Sequence, residues 1–287
     1  KSISYQKQMK YLLGYIMIIR PLNVFLGGLT ILISSLIIKY EGPAISVILP
    51  VFVVMFFTIG ANTLNDYFDY EIDKINRPDR AISSGLVLRN QALILSLFSF
   101  IIGVLIALRL NKDSQLLSIG VSLPLIIAYN VKLKNYALIG NIIVSLILAM
   151  SFIYAGLVFE KTEPLIIPAL LAFGLTLIRE IVKDLADIKG DKSAGLMTFP
   201  IVYGKKKTII LCTILSLFLG IGSFIPFLTG YYNTFYGISL ILMVEIPLAV
   251  VVISLLNKPG ILTAKRGSKL LKFCTLGGLL SIYIGTL

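Results

Sequence analysis

Long apolar segments recur along the whole of this 287-residue chain, and they limit the folds that are available to it. A helix that crosses a bilayer needs about 20 mostly apolar residues. Segments of about this length run over residues 20–38, 44–65, 91–110, 114–130, 137–158, 164–183, 207–228, 235–256 and 269–286. Only 14% of the residues are charged, compared with about 25% in a typical soluble domain. The pattern predicts an all-α, polytopic membrane protein with about nine transmembrane helices around a central cavity.

The distribution of lysine and arginine between the loops predicts the orientation. If the N-terminus, with Lys1 and Lys7, and every second loop lie on one side, that side holds 22 of the 26 basic residues. Loops rich in lysine and arginine remain in the cytoplasm, so we expect a cell-membrane protein with a cytoplasmic N-terminus. The same bias accounts for the net charge of +12. Because the basic residues are spread over short membrane loops, we expect membrane lipids as neighbours and no nucleic-acid partner.

Two acidic segments, near residues 62–90 and 179–206, lie on the predicted cytoplasmic side. Each contains three aspartates at positions i, i+3 and i+7, a spacing that places them on one face of a helix. They are Asp66, Asp69 and Asp73 in the first segment, and Asp184, Asp187 and Asp191 in the second. Three stacked carboxylates repel one another unless a cation neutralises them. We therefore expect the six aspartates to face a shared cation-binding cavity and to form the catalytic centre.

The types of ligand available indicate which cation these segments bind. The chain has no histidine, and its two cysteines lie within predicted spans. Oxygen ligands alone suit Mg²⁺, with Mn²⁺ as a possible substitute. Mg²⁺ usually binds a few carboxylates together with substrate phosphates, so the two segments, with Asn65 as a further ligand, predict two or more ions that hold a diphosphate. The alternative is a pair of solvated helix ends whose acids pair with nearby lysines and arginines, and the identical spacing favours the metal site.

These motifs resemble those of the UbiA superfamily of intramembrane prenyltransferases. The run that begins at Asn65 and Asp66 matches the family motif N-D-x-x-D-x-x-x-D, and the run that begins at Asp184 matches D-x-x-D-x-x-x-D. The flanking residues 20–23, 76–80 and 195–200 also match, so the resemblance covers nearly the whole chain. Residues 81–85 depart from the family pattern, because relatives commonly carry prolines there. The run from Asn65 to Arg80 is most similar to the archaeal branch of the family.

The resemblance implies one transmembrane domain over residues 1–287 and a magnesium-dependent reaction. A geranylgeranyl group would pass from geranylgeranyl diphosphate to the sn-2 hydroxyl of geranylgeranylglyceryl phosphate, which forms the second ether bond of archaeal membrane lipids. Cationic side chains pair with phosphate oxygens, and a tyrosine ring can face a cation. The expected substrate-binding residues are Arg77, Arg80, Lys134 and Lys183 for the diphosphate, Arg20 and Asn23 for the acceptor phosphate, and Tyr129 and Asn62 beside them.

Two alternatives to this function remain at the level of the sequence. A prenyltransferase that acts on an aromatic quinone precursor needs the same metal site, so the aspartate motifs do not separate it from the lipid enzyme. A membrane transporter with carboxylate ion sites usually binds its substrate near the bilayer midplane, whereas these aspartates cluster at one edge of the membrane. Glu245, in the middle of the eighth predicted span, is either functional or paired with a neighbouring helix.

Overall fold

Helices account for most of the residues that the computed structural model describes, which are 2–287 for the backbone and 9–287 for the side chains. The helices are α1 (Ser2–Ile19), α2 (Pro21–Ile37), α3 (Ala44–Phe68), α4 (Tyr70–Asn76), α5 (Arg89–Ala107), α6 (Lys112–Val131), α7 (Ile139–Val158), α8 (Glu163–Ser193), α9 (Phe199–Leu228), α10 (Thr234–Asn257) and α11 (Ile261–Gly285). Residues 2–287 contain no β-strand, and Tyr136 and Met197 form an isolated bridge. The predicted all-α fold is confirmed. Lys1 and the side chain of Lys7, which were counted for the orientation, lie outside this description.

The number of candidate membrane spans is lower than the sequence predicts. Among the described residues, seven helices (α3 and α5–α10) are long and apolar enough to cross a membrane. An eighth is obtained if Met9–Ile19 and Pro21–Ile37, which meet at an angle of 43°, form one bent span. The helix α11 is not among them, and four basic residues occupy its first half: Lys265, Arg266, Lys269 and Lys272. The predicted number of nine is therefore not confirmed.

The outer surfaces of the spans are apolar. Only 22% to 50% of the residues in their most apolar windows are buried inside the protein. Large side chains such as Phe98, Phe218 and Ile221 are 60% to 72% exposed. An apolar surface of this extent marks contact with a membrane or with another protein, and on helices of this length it indicates the hydrocarbon core of a bilayer.

The bend between α1 and α2 has a local cause in the sequence. Pro21 disfavours the right-handed helical conformation for the residue that precedes it, and Arg20 adopts a positive φ of 57°. Pro21 itself occupies the first position of α2, where its missing N–H is tolerated. The amide of Asn23 then bonds the carbonyl of Arg20 at 2.8 Å, so the carbonyl of Ile19 loses its helical donor.

The chain divides into two compact units, the first comprising the described residues up to Leu32 and Gly42–Lys132. Within it, α3 and α5 pack closely through two reciprocal pairs of glycine and phenylalanine. A Cβ atom on Gly60 would lie 2.5 Å from the ring of Phe100, and one on Gly103 would lie 2.5 Å from the ring of Phe57. Small residues at such positions let membrane helices approach closely. The prediction of a single domain over residues 1–287 stays a prediction.

The second unit comprises Ile33–Glu41 and Leu133–Leu287, and its core lies between α8, α9, α10 and α11. Both cysteines, Cys212 and Cys274, are free and buried in this core. A π-helical turn over Ile241–Glu245 precedes Pro247 within α10. Ser223 of α9 donates its hydroxyl to the Glu245 carboxylate at 2.9 Å. Glu245 is thus paired with a neighbouring helix, which is one of the two explanations that the sequence leaves open.

Candidate active site

The first acidic segment crosses the break between α3 and α4. Asp66 lies in the last turn of α3, Asp69 lies at the break with φ −85° and ψ 7°, and Asp73 lies in α4. The amide of Asp69 bonds the carbonyl of Asn65 at 2.8 Å, and the amide of Asp73 bonds the carbonyl of Asp69 at 2.7 Å. Each of these bonds joins residues four positions apart, as in an α-helix, so the helical periodicity continues across the break. The face that the sequence predicts for Asp66 and Asp73 is therefore present.

Arg80 connects two aspartates of this face. After α4 the chain turns, and the amide of Arg80 bonds the carbonyl of Arg77 at 3.0 Å. The Nη1 atom of Arg80 donates to Oδ1 of Asp66 at 2.9 Å and also to Oδ2 of Asp73. Both aspartates are buried, and the Arg80 side chain is 16% exposed. Two carboxylates therefore converge on one positively charged nitrogen.

Arg20 reaches the same aspartate from the bend between α1 and α2. Its Nη2 atom donates to Oδ1 of Asp66 and, at 3.2 Å, to Oδ1 of Asn65. Asn65 in turn donates to Oδ2 of Asp69 at 2.8 Å. The structure therefore brings together Arg20, Asn65, Asp66, Asp73 and Arg80, all of which the sequence predicts for the site.

Two predicted asparagines lie beside this network and support the bend. The side-chain amide of Asn62 donates to the carbonyl of Ile19 at 2.9 Å, which is the carbonyl that loses its helical donor. Asn23 donates to Oδ1 of Asn62 at 3.4 Å. A buried carbonyl without a donor costs about 1–3 kcal/mol, so Asn62 stabilises the backbone that presents Arg20.

Burial makes Asp73 sensitive to the charges around it. Removal from water raises the pKa of this carboxyl to about 6, with Arg80 acting against the shift and Asp69 adding to it. The carboxylate is therefore mostly ionised at neutral pH, and protons compete with other cations for it below about pH 6. A cation at this position relieves the penalty for burying the charge.

The second acidic segment lies on the continuous helix α8, with Asp184, Asp187 and Asp191 ahead of its end at Ser193. The side-chain amide of Asn141, in the first turn of α7, donates to Oδ2 of Asp184 at 2.8 Å. The sequence motifs do not predict Asn141 as part of the site. An asparagine in the first turn of an otherwise apolar span is the only signal that the sequence offers for it.

Two basic side chains beside the second motif pair with a buried glutamate. Glu180 is 5% exposed and accepts hydrogen bonds from Arg179 and, at 3.0 Å, from Nζ of Lys183. Lys183, which the sequence predicts as a diphosphate ligand, is therefore paired with Glu180 in this arrangement. The sequence motifs do not predict this role for Glu180.

Three further predicted ligands lie at or beside the ends of helices. Lys134 lies in a short 3₁₀ turn, Leu133–Asn135. This turn passes close to the start of α7, where a Cβ atom on Gly140 would lie 2.7 Å from the Cα atom of Lys134. Arg77, directly after α4, and Tyr129, in the last part of α6, are half-buried. Their assignment as substrate ligands stays a prediction.

A cavity in the second unit lies away from the aspartates. It has a volume of about 400 Å³ and is lined mainly by residues 230–233 and 285–287, with Pro164 at the start of α8. The second motif begins 20 residues later on that helix, about 30 Å away at 1.5 Å per residue. The cavity is not part of the motif.

The ligands of the first motif fit a hard divalent cation. Among the described residues, no three acidic or cysteine side chains lie close enough together to hold a metal ion. Mg²⁺, however, is usually held by one or two carboxylates together with substrate phosphates and water. Asp66 and Asp73 converge on a single point and, with the amide oxygen of Asn65, offer only oxygen ligands. This set of ligands suits Mg²⁺.

Comparison with known proteins identifies relatives of this chain. The model of the UbiA prenyltransferase family matches residues 28–267. The digeranylgeranylglyceryl phosphate synthase of Pyrococcus horikoshii is 37% identical over 276 residues, which cover 96% of this chain and 97% of that protein. The synthase of Sulfurisphaera tokodaii is 34% identical over 278 residues, which cover 96% of this chain and 98% of that protein.

Solved structures share the fold. One is described as a digeranylgeranylglyceryl phosphate synthase in membranes, and it has a TM-score of 0.74 and 31% identity. The alignment covers 96% of this chain and 98% of the chain in that structure. A UbiA homologue from Archaeoglobus fulgidus, solved with DMAPP and Mg²⁺, has a TM-score of 0.67 and 16% identity, with coverage of 93% and 98%. The helical membrane fold, the aspartate motifs and the full-length identity lead to one conclusion: this chain belongs to the UbiA prenyltransferase family and is a membrane prenyltransferase.

Proposed function

We propose that this prenyltransferase transfers a geranylgeranyl group from geranylgeranyl diphosphate to the sn-2 hydroxyl of geranylgeranylglyceryl phosphate. The observation that carries the proposal is the convergence of Asp66 and Asp73, two buried carboxylates, on one cationic position beside Arg20. This arrangement is suited to a metal-bound diphosphate. The choice of substrates is supported by the names of relatives that are alike over 96% of this chain.

We propose Asn65 and the six motif aspartates as metal ligands, and residues 1–287 as a single domain. When bound, Mg²⁺ neutralises the negative charge of the diphosphate, and more than one ion or Mn²⁺ can fulfil this role. The homologue structure with DMAPP and Mg²⁺ supports this assignment. Arg77, Arg80, Lys134 and Lys183 pair with the diphosphate oxygens, since charge-assisted hydrogen bonds to phosphate are strong.

The reaction breaks the bond between C1 of the prenyl chain and the diphosphate oxygen. Cationic side chains stabilise the charge on the departing diphosphate, and the ring of Tyr129 faces the allylic cation. The acceptor hydroxyl oxygen then attacks C1, which gives the ether, and its proton leaves with the inorganic diphosphate. Arg20 and Asn23 hold the phosphate of the acceptor. The apolar spans exclude water, which would otherwise convert the allylic cation to an alcohol.

The metal requirement tests the proposed site directly. Prenyl transfer by the purified protein should stop when EDTA removes divalent cations and should recover when Mg²⁺ is added in excess. The reason is that buried carboxylates alone repel a diphosphate. The measurement is product formation by mass spectrometry with geranylgeranyl diphosphate and a panel of acceptors. Full turnover in metal-free buffer would contradict the mechanism.

We also propose that the N-terminus and both acidic segments face the cytoplasm, in line with the 22 basic residues on that side. Ser84 and Glu163 are exposed, and both native cysteines are buried. A membrane-impermeant thiol reagent added outside intact cells should therefore label a cysteine at position 163 and not one at position 84. Opened cells should give labelling at both positions. Labelling of position 84 alone in intact cells would reverse the orientation.

A further inference from the structure

We infer that Arg80 is an internal counter-ion of the first acidic motif, and that Mg²⁺ and the diphosphate displace it together. The inference rests on the proposed function, because it assumes that this motif binds a metal and a diphosphate. It adds a rule for binding: the two ligands bind cooperatively, and Arg80 is the residue that couples them.

The geometry of a single nitrogen carries the inference. Nη1 of Arg80 contacts Oδ1 of Asp66 and Oδ2 of Asp73 at once. Arg20 contacts only Asp66 of these two. Arg80 is therefore the residue that joins the carboxylates across the break between α3 and α4, and it occupies the position where a bridging cation would bind.

Arg80 competes with Mg²⁺ because both bind the same carboxylate oxygens and both are positively charged. The metal needs the same carboxylate oxygens that Arg80 holds, and a dication next to the guanidinium is repelled by it. Both aspartates are buried, so water screens this repulsion poorly. Arg80 therefore weakens Mg²⁺ binding as long as it stays on the carboxylates.

The diphosphate removes this obstacle because it offers Arg80 another partner. A guanidinium group pairs with phosphate oxygens through two parallel hydrogen bonds. Once Arg80 turns to the diphosphate, the carboxylates are available to the metal. Each ligand thus favours the binding of the other, and by linkage the two effects are equal in size.

Lys74 provides a matched control in α4, the short helix that carries Asp73. It also carries one positive charge, but its partner is the exposed Glu71, at 3.0 Å, and it lies over the ring of Tyr70. An exposed pair of this kind is strongly screened and contributes little. Removing the Lys74 charge should therefore leave Mg²⁺ binding unchanged, although the residue is six positions away from Arg80 in the sequence.

The test is calorimetric titration of the purified full chain in detergent with Mg²⁺, with and without inorganic pyrophosphate. Without pyrophosphate, Arg80→Gln should bind Mg²⁺ about tenfold more tightly than the wild type, and Lys74→Gln should match the wild type. Pyrophosphate should tighten Mg²⁺ binding to the wild type about tenfold and to Arg80→Gln much less. If Arg80→Gln does not fold, Arg80→Lys replaces it. The lysine side chain is shorter, so its ammonium group lies farther from the two carboxylates, and its Mg²⁺ binding should be a few-fold tighter than in the wild type.

The possible results separate the inference from the function on which it rests. If the wild type binds Mg²⁺ with pyrophosphate, but the Arg80 variant binds Mg²⁺ alone no more tightly than the wild type does, the counter-ion role is wrong and the metal site remains. An equal gain in Mg²⁺ affinity in Lys74→Gln would also refute the counter-ion role, because removal of any nearby positive charge would then have the same effect. A wild type that binds no Mg²⁺ even with pyrophosphate would contradict the proposed function itself.

Discussion

Replacing Asp73 with asparagine will lower the rate of prenyl transfer by about 10³-fold, while the protein remains folded. Asparagine keeps the shape of the buried side chain but removes the charge that holds the cation. Loss of a metal ligand removes several kcal/mol of stabilisation of the departing diphosphate, and about 4 kcal/mol corresponds to a factor of 10³. The measurement is kcat at saturating Mg²⁺ and geranylgeranyl diphosphate, with circular dichroism as the check on folding.

Glu71→Gln is the control for this change. Glu71 lies two residues from Asp73 on the same helix, but its side chain is 71% exposed and pairs with Lys74. It should retain the wild-type rate within about twofold, since exposed ion pairs contribute little. A wild-type rate in Asp73→Asn would remove Asp73 from the metal site.

The same substitution at Asp187 tests whether the second motif belongs to the same site. If residues 1–287 act as one domain, Asp187→Asn should lose activity as severely as Asp73→Asn. A wild-type rate in Asp187→Asn, together with an inactive Asp73→Asn, would confine the metal site to the first motif.

The second large effect concerns the acceptor: Arg20→Ala should raise the apparent KM for geranylgeranylglyceryl phosphate more than that for geranylgeranyl diphosphate. The phosphate of the acceptor is a dianion, and it needs a cation beyond those that serve the diphosphate. Loss of one charge-assisted hydrogen bond amounts to roughly 1.5–3 kcal/mol, or about 10- to 150-fold. Steady-state kinetics with each substrate varied in turn give the two values.

Arg89→Ala is the matched control for Arg20. Arg89 donates to the carbonyl of Tyr67 at 3.0 Å and lies over that ring, so its loss should not separate the two KM values. Equal effects of Arg20→Ala on both substrates would place Arg20 at the diphosphate instead. Prenylation of 4-hydroxybenzoate, with none of the glycerol ether, would assign the enzyme to the aromatic-acceptor alternative.

The parts of the site that depend on local spacing could be predicted from the sequence. Asp66 and Asp73 share a face because helical periodicity is a property of adjacent turns. Arg80 reaches them because it follows within one short loop. Arg20 is next to Pro21, and this pair also marks the bend between α1 and α2. Each of these signals lies within 14 residues of the group that it positions.

Contacts between distant segments could not be predicted in this way. Asn62 bonds the carbonyl of Ile19, and Asn141 bonds Asp184, each across 43 residues of sequence. In a hydropathy profile both asparagines are only polar residues within an apolar segment, and the profile does not indicate their partners. The predicted number of spans was not confirmed for a related reason. The apolar end of α11 resembles a span, whereas the helix as a whole begins in a strongly basic segment.

The pairing of Arg20 and Arg80 with Asp66 and Asp73 also bears on how the protein is made. Buried charges without a partner are costly, and here two positive and two negative groups balance before any ligand arrives. A newly synthesised chain can therefore complete this part of its fold during insertion, without waiting for an ion or a lipid precursor. We expect the rate of synthesis to set the amount of folded enzyme in the membrane, and the magnesium concentration to set only the fraction of that enzyme that is active.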